Sequence, residues 1–401
     1  MRHPPSRILP TIVLSQFAGT SLWFAANSVM PDLQRRWGLP QEALGDVTTA
    51  VQLGFIAGTL AFAVLTVSDR YSPRSVFLAC SVLGGLANAA AYLSGPSLPA
   101  LLGLRFATGF FLAGIYPVGM KIAASWYQRD LGRALGFLVG ATVLGTAFPH
   151  LLRGLGQTLP WEGVMVAVSA LALAGGAAMF ALVPDGPYLR TRSPFDAKSL
   201  PSVFRSKKFR ASAFGYFGHM WELYAFWAFV PLLIAAYVAR TADADLNVPL
   251  CTFAIIAAGA LGCMVGGLIS LRLGSARVAL AQLALSGLCC LLSPLVMQLP
   301  GPAFVAYLVA WGVVVAGDSP QFSALNARFA PGALVGSALT IANSIGFAIT
   351  VVSIQLVNHG IGVLGVQYVF LLLAPGPLIG LLALAPLVGE TEGNAPDGMP
   401  D

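Results

Sequence analysis

Charge is scarce in this chain. Lysine, arginine, aspartate and glutamate make up only 9% of its 401 residues, whereas 57% are hydrophobic; the mean hydropathy is +0.79. A soluble domain carries about 25% charged residues, so this sequence cannot cover a water-facing surface. That excludes a soluble fold, and with it the exposed basic face that reads nucleic acid. Cysteine is sparse too. Cys80, Cys251, Cys263, Cys289 and Cys290 all fall in apolar runs and show neither CxxC nor Cys/His metal spacing. They read as small apolar packing residues, and no metal site is expected. The sequence lacks a Ser/His/Asp pattern in a loop and a phosphate-cradling GxxxxGK[ST]. Neither an enzyme nor a cofactor is expected.

Apolar runs are abundant. Twelve stretches of about 20 residues, each long enough for a helix to cross a hydrocarbon core of about 30 Å, recur at 9–29, 46–67, 75–95, 99–123, 134–155, 162–183, 212–238, 249–270, 278–297, 303–325, 335–357 and 363–388. They are continuously apolar rather than alternating, which selects helices over a barrel. The first run lacks a small-residue cleavage site and reads as an uncleaved span.

Basic residues set the orientation. With a cytoplasmic N-terminus, seventeen of the 22 lysines and arginines fall inside, among them Arg2, Arg129, Arg190, Arg192 and Lys198. Only Arg35, Arg36, Arg153 and Arg240 fall outside, and Arg105 lies within a span. This bias satisfies the positive-inside rule and accounts for the net charge of +6. The expectation is a multi-pass inner-membrane protein with both termini cytoplasmic.

The chain also repeats itself. Gly109-x3-Ala113-Gly114-x2-Pro117 in the fourth run returns as Gly312-x3-Ala316-Gly317-x2-Pro320 in the tenth, each member displaced by 203. The turn SDRYSPR after the second run returns as SLRLGSAR after the eighth, with Arg70 and Arg272 separated by 202. Two halves of six spans follow, both in the same orientation, the arrangement of carriers that hold their solute between two similar bundles. The expected organisation is an N-terminal bundle over 1–183, a cytoplasmic linker over 184–211, and a C-terminal bundle over 212–401 ending in a short acidic tail. The linker carries Pro184, Pro187, Pro194 and Pro201, which suits an exposed connection.

These features resemble the major facilitator superfamily along essentially the whole chain. The family's loop between spans two and three reads Gly-x-Leu-x-Asp-Arg-x-Gly-Arg-Arg; Asp69, Arg70 and Arg74 match it, while Leu65, Ser72 and Pro73 depart. RFATGFFLAG resembles the family's span-four Arg-x-x-Gln-Gly through Arg105, Gly109 and Ala113, with Thr108 at the glutamine position. WYQRDLGRALGFLVG resembles its loop before span five. The Gly-Pro with paired glycines that many proton-driven exporters carry in span five is missing from GATVLGTAFPHLL. The resemblance implies an all-α membrane protein of twelve transmembrane helices in two pseudo-symmetric six-helix bundles, working as a monomer. It also implies a cytoplasmic gate in which Asp69, Arg70, Arg74 and Arg133 latch the halves; ordinary positive-inside topology explains the arginines equally well, but not Asp69.

Ionisable groups inside the membrane are the remaining signal. A charged residue at a helix centre costs about 2.5–3.5 kcal/mol on insertion scales. Arg105 in span four, His219 and Glu222 in the stretch GHMWELYAFW of span seven, and Asp318 in span ten stand out. His219 and Glu222 are three apart, on one helical face. In the family, spans one, four, seven and ten line a central cavity. On that resemblance Glu222 and Asp318 share a cavity wall, with Arg105 across from them. A carboxyl group in low dielectric favours its neutral form, so proton uptake by Glu222 or Asp318, tuned by His219, would accompany alternating access. Arg105 would attract an anionic group.

Each of these residues has a plainer reading. His219 and Glu222 would fix span seven by a hydrogen bond, Asp318 would cap a break near Pro320, and Arg105 would snorkel to the interface. Trp23, Asn27, Tyr116, Tyr224 and Asn343 are further candidates for the solute site, as aromatics and amides shape such pockets. The expected function is secondary active transport of a small solute with protons as partner, as uptake of a small organic or inorganic anion. Proton-driven export of drugs or toxic metabolites is the alternative within the class. A transport-inactive sensor or a passive channel is the alternative outside it.

Overall fold

The structure is a computed structural model and describes residues 5–127, 131–156, 159–189, 203–241, 246–331 and 334–389. Residues 190–202 of the expected linker, the acidic tail from 390, and Arg2, Arg129, Arg190, Arg192 and Lys198 of the charge bias lie outside the described residues.

Among the described residues, twelve helices are long and apolar enough to cross a membrane. Spans one to six are Ile8–Trp37, Ala43–Val64, Pro73–Leu93, Leu98–Trp126, Leu131–Leu155 and Trp161–Leu182. Spans seven to twelve are Lys207–Arg240, Val248–Leu273, Ser275–Val296, Gly301–Phe329, Val335–Leu364 and Val369–Val388. They correspond one for one to the apolar runs, with several ends displaced. Span one continues past 29 to Trp37, because Arg35 and Arg36 suit the negative end of a helix and Gly38 closes it at φ +63°. Span seven begins at Lys207, five residues into the expected linker, where the Ser206 side chain accepts from the Phe209 amide as an N-cap. Span eleven runs on to Leu364, so span twelve starts at Val369 rather than 363.

Packing repeats with a period of six spans. Span one lies along spans five and six, span two along four, and span three along four and six. Adding six to each number reproduces the second half: seven along eleven and twelve, eight along ten, nine along ten and twelve. The halves meet through spans two and eleven and through spans five and eight, pairs that exchange under the same operation. This is a pseudo-two-fold of two six-helix bundles.

The glycines of the repeat explain the closest crossings. A Cβ on Gly109 would overlap the Val51 carbonyl oxygen of span two, and one on Gly312 would overlap that of Ile255 in span eight. In return, Gly58 meets the Phe110 carbonyl and Gly262 meets that of Val313. Lipid supplies no hydrophobic drive between helices, so close backbone approach at small residues has to supply the contact.

Both repeated spans break at the same place. Span four unwinds at 113–115 and restarts at Tyr116, with Pro117 in its first turn; span ten breaks at Asp318 and restarts at Ser319, with Pro320 in its first turn. Proline has no amide hydrogen and its ring excludes the carbonyl four residues back. In span ten that carbonyl belongs to Ala316, and Cys263 Sγ of span eight donates to it at 3.2 Å. Span one also unwinds, at 21–24.

Candidate functional site

An even number of spans returns the chain to the side where it began, so both termini share one end, here the terminal end. At the opposite, far end the halves are closed. Gln355 Nε2 of span eleven donates to Asp46 Oδ1 at 3.2 Å and to Thr49 Oγ1 at 2.8 Å, both on span two. Asn358 Nδ2 donates to the Glu42 carbonyl at 2.9 Å. Beside spans five and eight, Asn247 Nδ2 donates to the Gly154 carbonyl at 3.2 Å. Toward the terminal end, spans two, four and eleven diverge around a cavity of about 120 Å³, lined by Thr59, Thr66, Asp69, Lys121, Ser337 and Thr340 among others.

Between these ends, rings from both halves fill the centre. Trp23 of span one faces Tyr224 of span seven with centroids 5.6 Å apart, and lies nearly parallel to Phe347 of span eleven at 5.7 Å. Phe55 of span two meets Phe347 at 4.4 Å, and Tyr116 borders both Trp23 and Phe55. Trp23 donates its indole N–H to Gln52 Oε1 at 3.1 Å, and Asn27 Nδ2 donates to Thr48 Oγ1 at 2.7 Å. Trp23, Tyr116 and Tyr224 therefore come together. Asn27 sits on the far side of them, and Asn343 is half-buried on span eleven. Phe55, Phe347 and Gln52 belong to the same cluster. The sequence does not single them out, because a lone Phe or Gln in an apolar run carries no signal of which way it faces.

The ionisable residues are turned into their own halves rather than facing one another across a shared cavity. Arg105 is fully buried and does not snorkel. Its guanidinium donates to Asn88 Oδ1 at 2.8 Å and to the Leu22 and Trp23 carbonyls at 3.0 and 2.6 Å. It thus holds the unwound turn of span one, whose carbonyls have lost their helical donors. No ion pair among the described residues includes Arg105.

In the second half, His219 Nδ1 lies 2.8 Å from Asp318 Oδ1, and His219 Nε2 lies 2.8 Å from Ser319 Oγ. All of this sits at the break of span ten. Nδ1 and Oδ1 are close, but neither makes a well-aligned hydrogen bond among the described residues; the hydrogen bond of the ring runs between Nε2 and the Ser319 hydroxyl. Glu222, one turn along span seven, is fully buried and accepts from Cys290 Sγ of span nine at 3.4 Å. Trp221 points elsewhere and donates to the Leu372 carbonyl.

The repeat supplies an internal comparison. At the displacement of 203, His219, Glu222 and Asp318 correspond to Gln16, Gly19 and Ile115. The register holds in space: Gln16 abuts Gly119 while His219 packs on Phe322, and Gly19 abuts Ile115. One lattice thus carries a titratable cluster in one half and none in the other.

The residues expected to form a gate all belong to the first half. Asp69 pairs with Lys121 of span four, whose ammonium also donates to the Ser68 carbonyl. Arg74 stacks on Phe180 at 5.2 Å, Arg133 on Phe137 of its own helix at 5.8 Å, and Arg70 is exposed. Thr66, at the start of this loop, has φ +50°, the one non-glycine residue in the left-handed region among those described.

Twelve helices long and apolar enough to span a membrane, in two matched halves, suit a multi-pass membrane protein. The sequence agrees: residues 12–353 match the family described as Major Facilitator Superfamily. The chain belongs to that family, whose members are secondary transporters and not enzymes. It is 29% identical over 150 residues to the 4-hydroxybenzoate transporter PcaK of Pseudomonas aeruginosa, covering 34% of this chain and 33% of that protein. It is 25% identical over 157 residues to the putative metabolite transport protein YyaJ of Bacillus subtilis, covering 38% and 34% respectively. The chain thus spans about a third of the length of the curated relatives it matches. Its fold is similar to that of a point mutant of the nucleoside transporter NupG, with a TM-score of 0.72 at 12% identity over 95% of this chain and all of that one. It is also similar to the human organic anion transporter MFSD10, with a TM-score of 0.65 at 16% identity over 95% of this chain and all of that one.

Proposed function

We propose that this protein takes up a small organic anion across the inner membrane by alternating access, with protons moving alongside through Asp318, His219 and Glu222. The observation that carries the reading is the one-sided cluster. A charged group inside a membrane bundle costs several kcal/mol, and the first half shows that the same lattice packs with Gln16, Gly19 and Ile115 instead. The second half therefore keeps its three groups for something packing does not require. The buried contact of His219 with Asp318, whose two carboxylate oxygens lack a hydrogen-bond partner among the described residues, supports the reading.

An anion is favoured by Arg105. Its buried charge has no carboxylate partner among the described residues and lies directly behind the Trp23 backbone. In a low-dielectric surrounding such a charge acts over several ångströms and favours an anion in the aromatic centre. The names of the Pseudomonas relative and of the human structure point the same way. With the termini cytoplasmic, the far-end closure makes this conformation inward-facing, and the cavity of spans two, four and eleven is its cytoplasmic vestibule.

Proteoliposomes given labelled 4-hydroxybenzoate, benzoate and succinate test the reading. An imposed inward proton gradient should drive accumulation of at least one of them in the wild type and none in Asp318→Asn. Accumulation indifferent to the gradient would overturn the proton coupling; no movement of any of the three acids would overturn the anion assignment.

A further inference from the structure

On the terminal side of Asp318, the second half holds several buried or part-buried amides and hydroxyls. Gln282 of span nine borders Gly317, the neighbour of Asp318. The amides of Gln282 and Gln321 both border Gly266 of span eight, 2.9 and 3.2 Å from where its Cβ would stand. Farther down span ten, Asn326 Oδ1 accepts from Ser212 Oγ of span seven at 2.6 Å. Gln321 and Asn326 are 2% exposed and Ser212 is fully buried. Gln282 Oε1, Gln321 Nε2 and Asp318 Oδ2 are buried without a hydrogen-bond partner among the described residues. A buried polar group without a partner is costly to keep, and these three are brought together by the small residues Gly266 and Gly317.

The first half again serves as the comparison. Gln321, Asn326 and Ser212 correspond to Val118, Ala123 and Leu9 at the displacement of 203. Gly114, the counterpart of Gly317, borders Cys80 where Gly317 borders Gln282. Apolar side chains fill these places adequately, so packing does not demand amides.

We propose that Gln282 and Gln321 line a proton route leading from Asp318 toward the terminal face between spans eight, nine and ten, inside the second half and apart from the solute's path. The inference rests on the coupling through Asp318 proposed above. Amides and hydroxyls do not hold an excess proton; they orient water molecules that pass it on, as buried polar groups do. The O–H bond of the Asp318 carboxyl breaks to leave the carboxylate, and each water in the file forms one O–H bond as it loses another. The cavity of spans two, four and eleven includes none of these side chains, so proton and solute leave by different doors.

Time-resolved infrared spectroscopy of the full chain in lipid nanodiscs after a pH jump tests the route. The carboxylic C=O band of Asp318 is identified by its loss in Asp318→Asn. In Gln282→Leu/Gln321→Leu that band should respond more slowly by about tenfold or more, with its final amplitude unchanged. In Gln282→Ser/Gln321→Ser, which loses as much packing but keeps polar groups, the rate should stay within about twofold of wild type. An unchanged rate in the leucine pair overturns the route alone, as does equal slowing in the serine pair. A band that ignores pH overturns the coupling reading and the route together.

Discussion

Gln355 and Asp46 face each other across the two halves at the far end, joined through Gln355 Nε2 and the carboxylate at 3.2 Å. The same amide also reaches Thr49, and Asn358 reaches the Glu42 carbonyl one turn on. Span eleven thus supplies the donors and span two the acceptors. A hydrogen bond to a charged group contributes about 1.5–3 kcal/mol, and about 1.4 kcal/mol is a tenfold change in an equilibrium. Gln355→Leu should therefore raise far-end opening by about tenfold or more. The check is the rate at which a cysteine placed at Thr48 reacts with a membrane-impermeant maleimide from the far side.

The repeated glycines predict a matched pair of failures. A methyl group at Gly109 or Gly312 would overlap a carbonyl oxygen of the neighbouring span, Val51 or Ile255. Backbone cannot step aside as a flexible side chain can, so Gly109→Ala and Gly312→Ala should each destabilise by about 3 kcal/mol, at the upper end of overpacking. Gly103 and Gly267 have open space around the equivalent methyl, and alanine there should be near neutral. Melting in detergent separates the two classes. Equal melting of all four variants would mean that the close crossings are not what holds the spans.

Much of this architecture was legible in the residues. The apolar runs give all twelve spans because a continuously apolar run in lipid satisfies its backbone only as a helix, and the displacement of 203 gives the two halves because Gly109 and Gly312 perform the same contact. The direction in which a buried charge points was not legible. Nothing local to Arg105 says that its guanidinium turns to the Leu22 carbonyl, which is freed only because span one unwinds far away in sequence. Glu222 and His219 share a face by spacing, yet one meets span nine and the other span ten, since a single helix face touches two neighbours in a bundle.

Thr66 offers a prediction from the backbone alone. At φ +50° its β-branched side chain sits in a conformation that costs non-glycine residues about 1–2 kcal/mol. Thr66→Gly removes that cost, though glycine also gains freedom in the unfolded chain, of about 0.4–1 kcal/mol. The net effect should be a gain of up to about 1 kcal/mol in stability. A measured loss larger than that would show that the Thr66 hydroxyl or methyl contributes contacts outweighing the strain.

On the proposed function Arg105 has two tasks that a single pair of substitutions can separate. As a fork it reaches Asn88 and two carbonyls at once; as a charge it would bias the aromatic centre beside Trp23. Lysine keeps the charge but is a point donor without the planar fork. Arg105→Lys should therefore lose at least one of the three bonds and about 2 kcal/mol of stability, while benzoate still protects the protein against melting. Arg105→Met keeps the length, loses both tasks, and should abolish that protection. If methionine preserves protection by benzoate as well as lysine does, the buried charge serves only the fold of span one. The solute's negative group must then be met elsewhere.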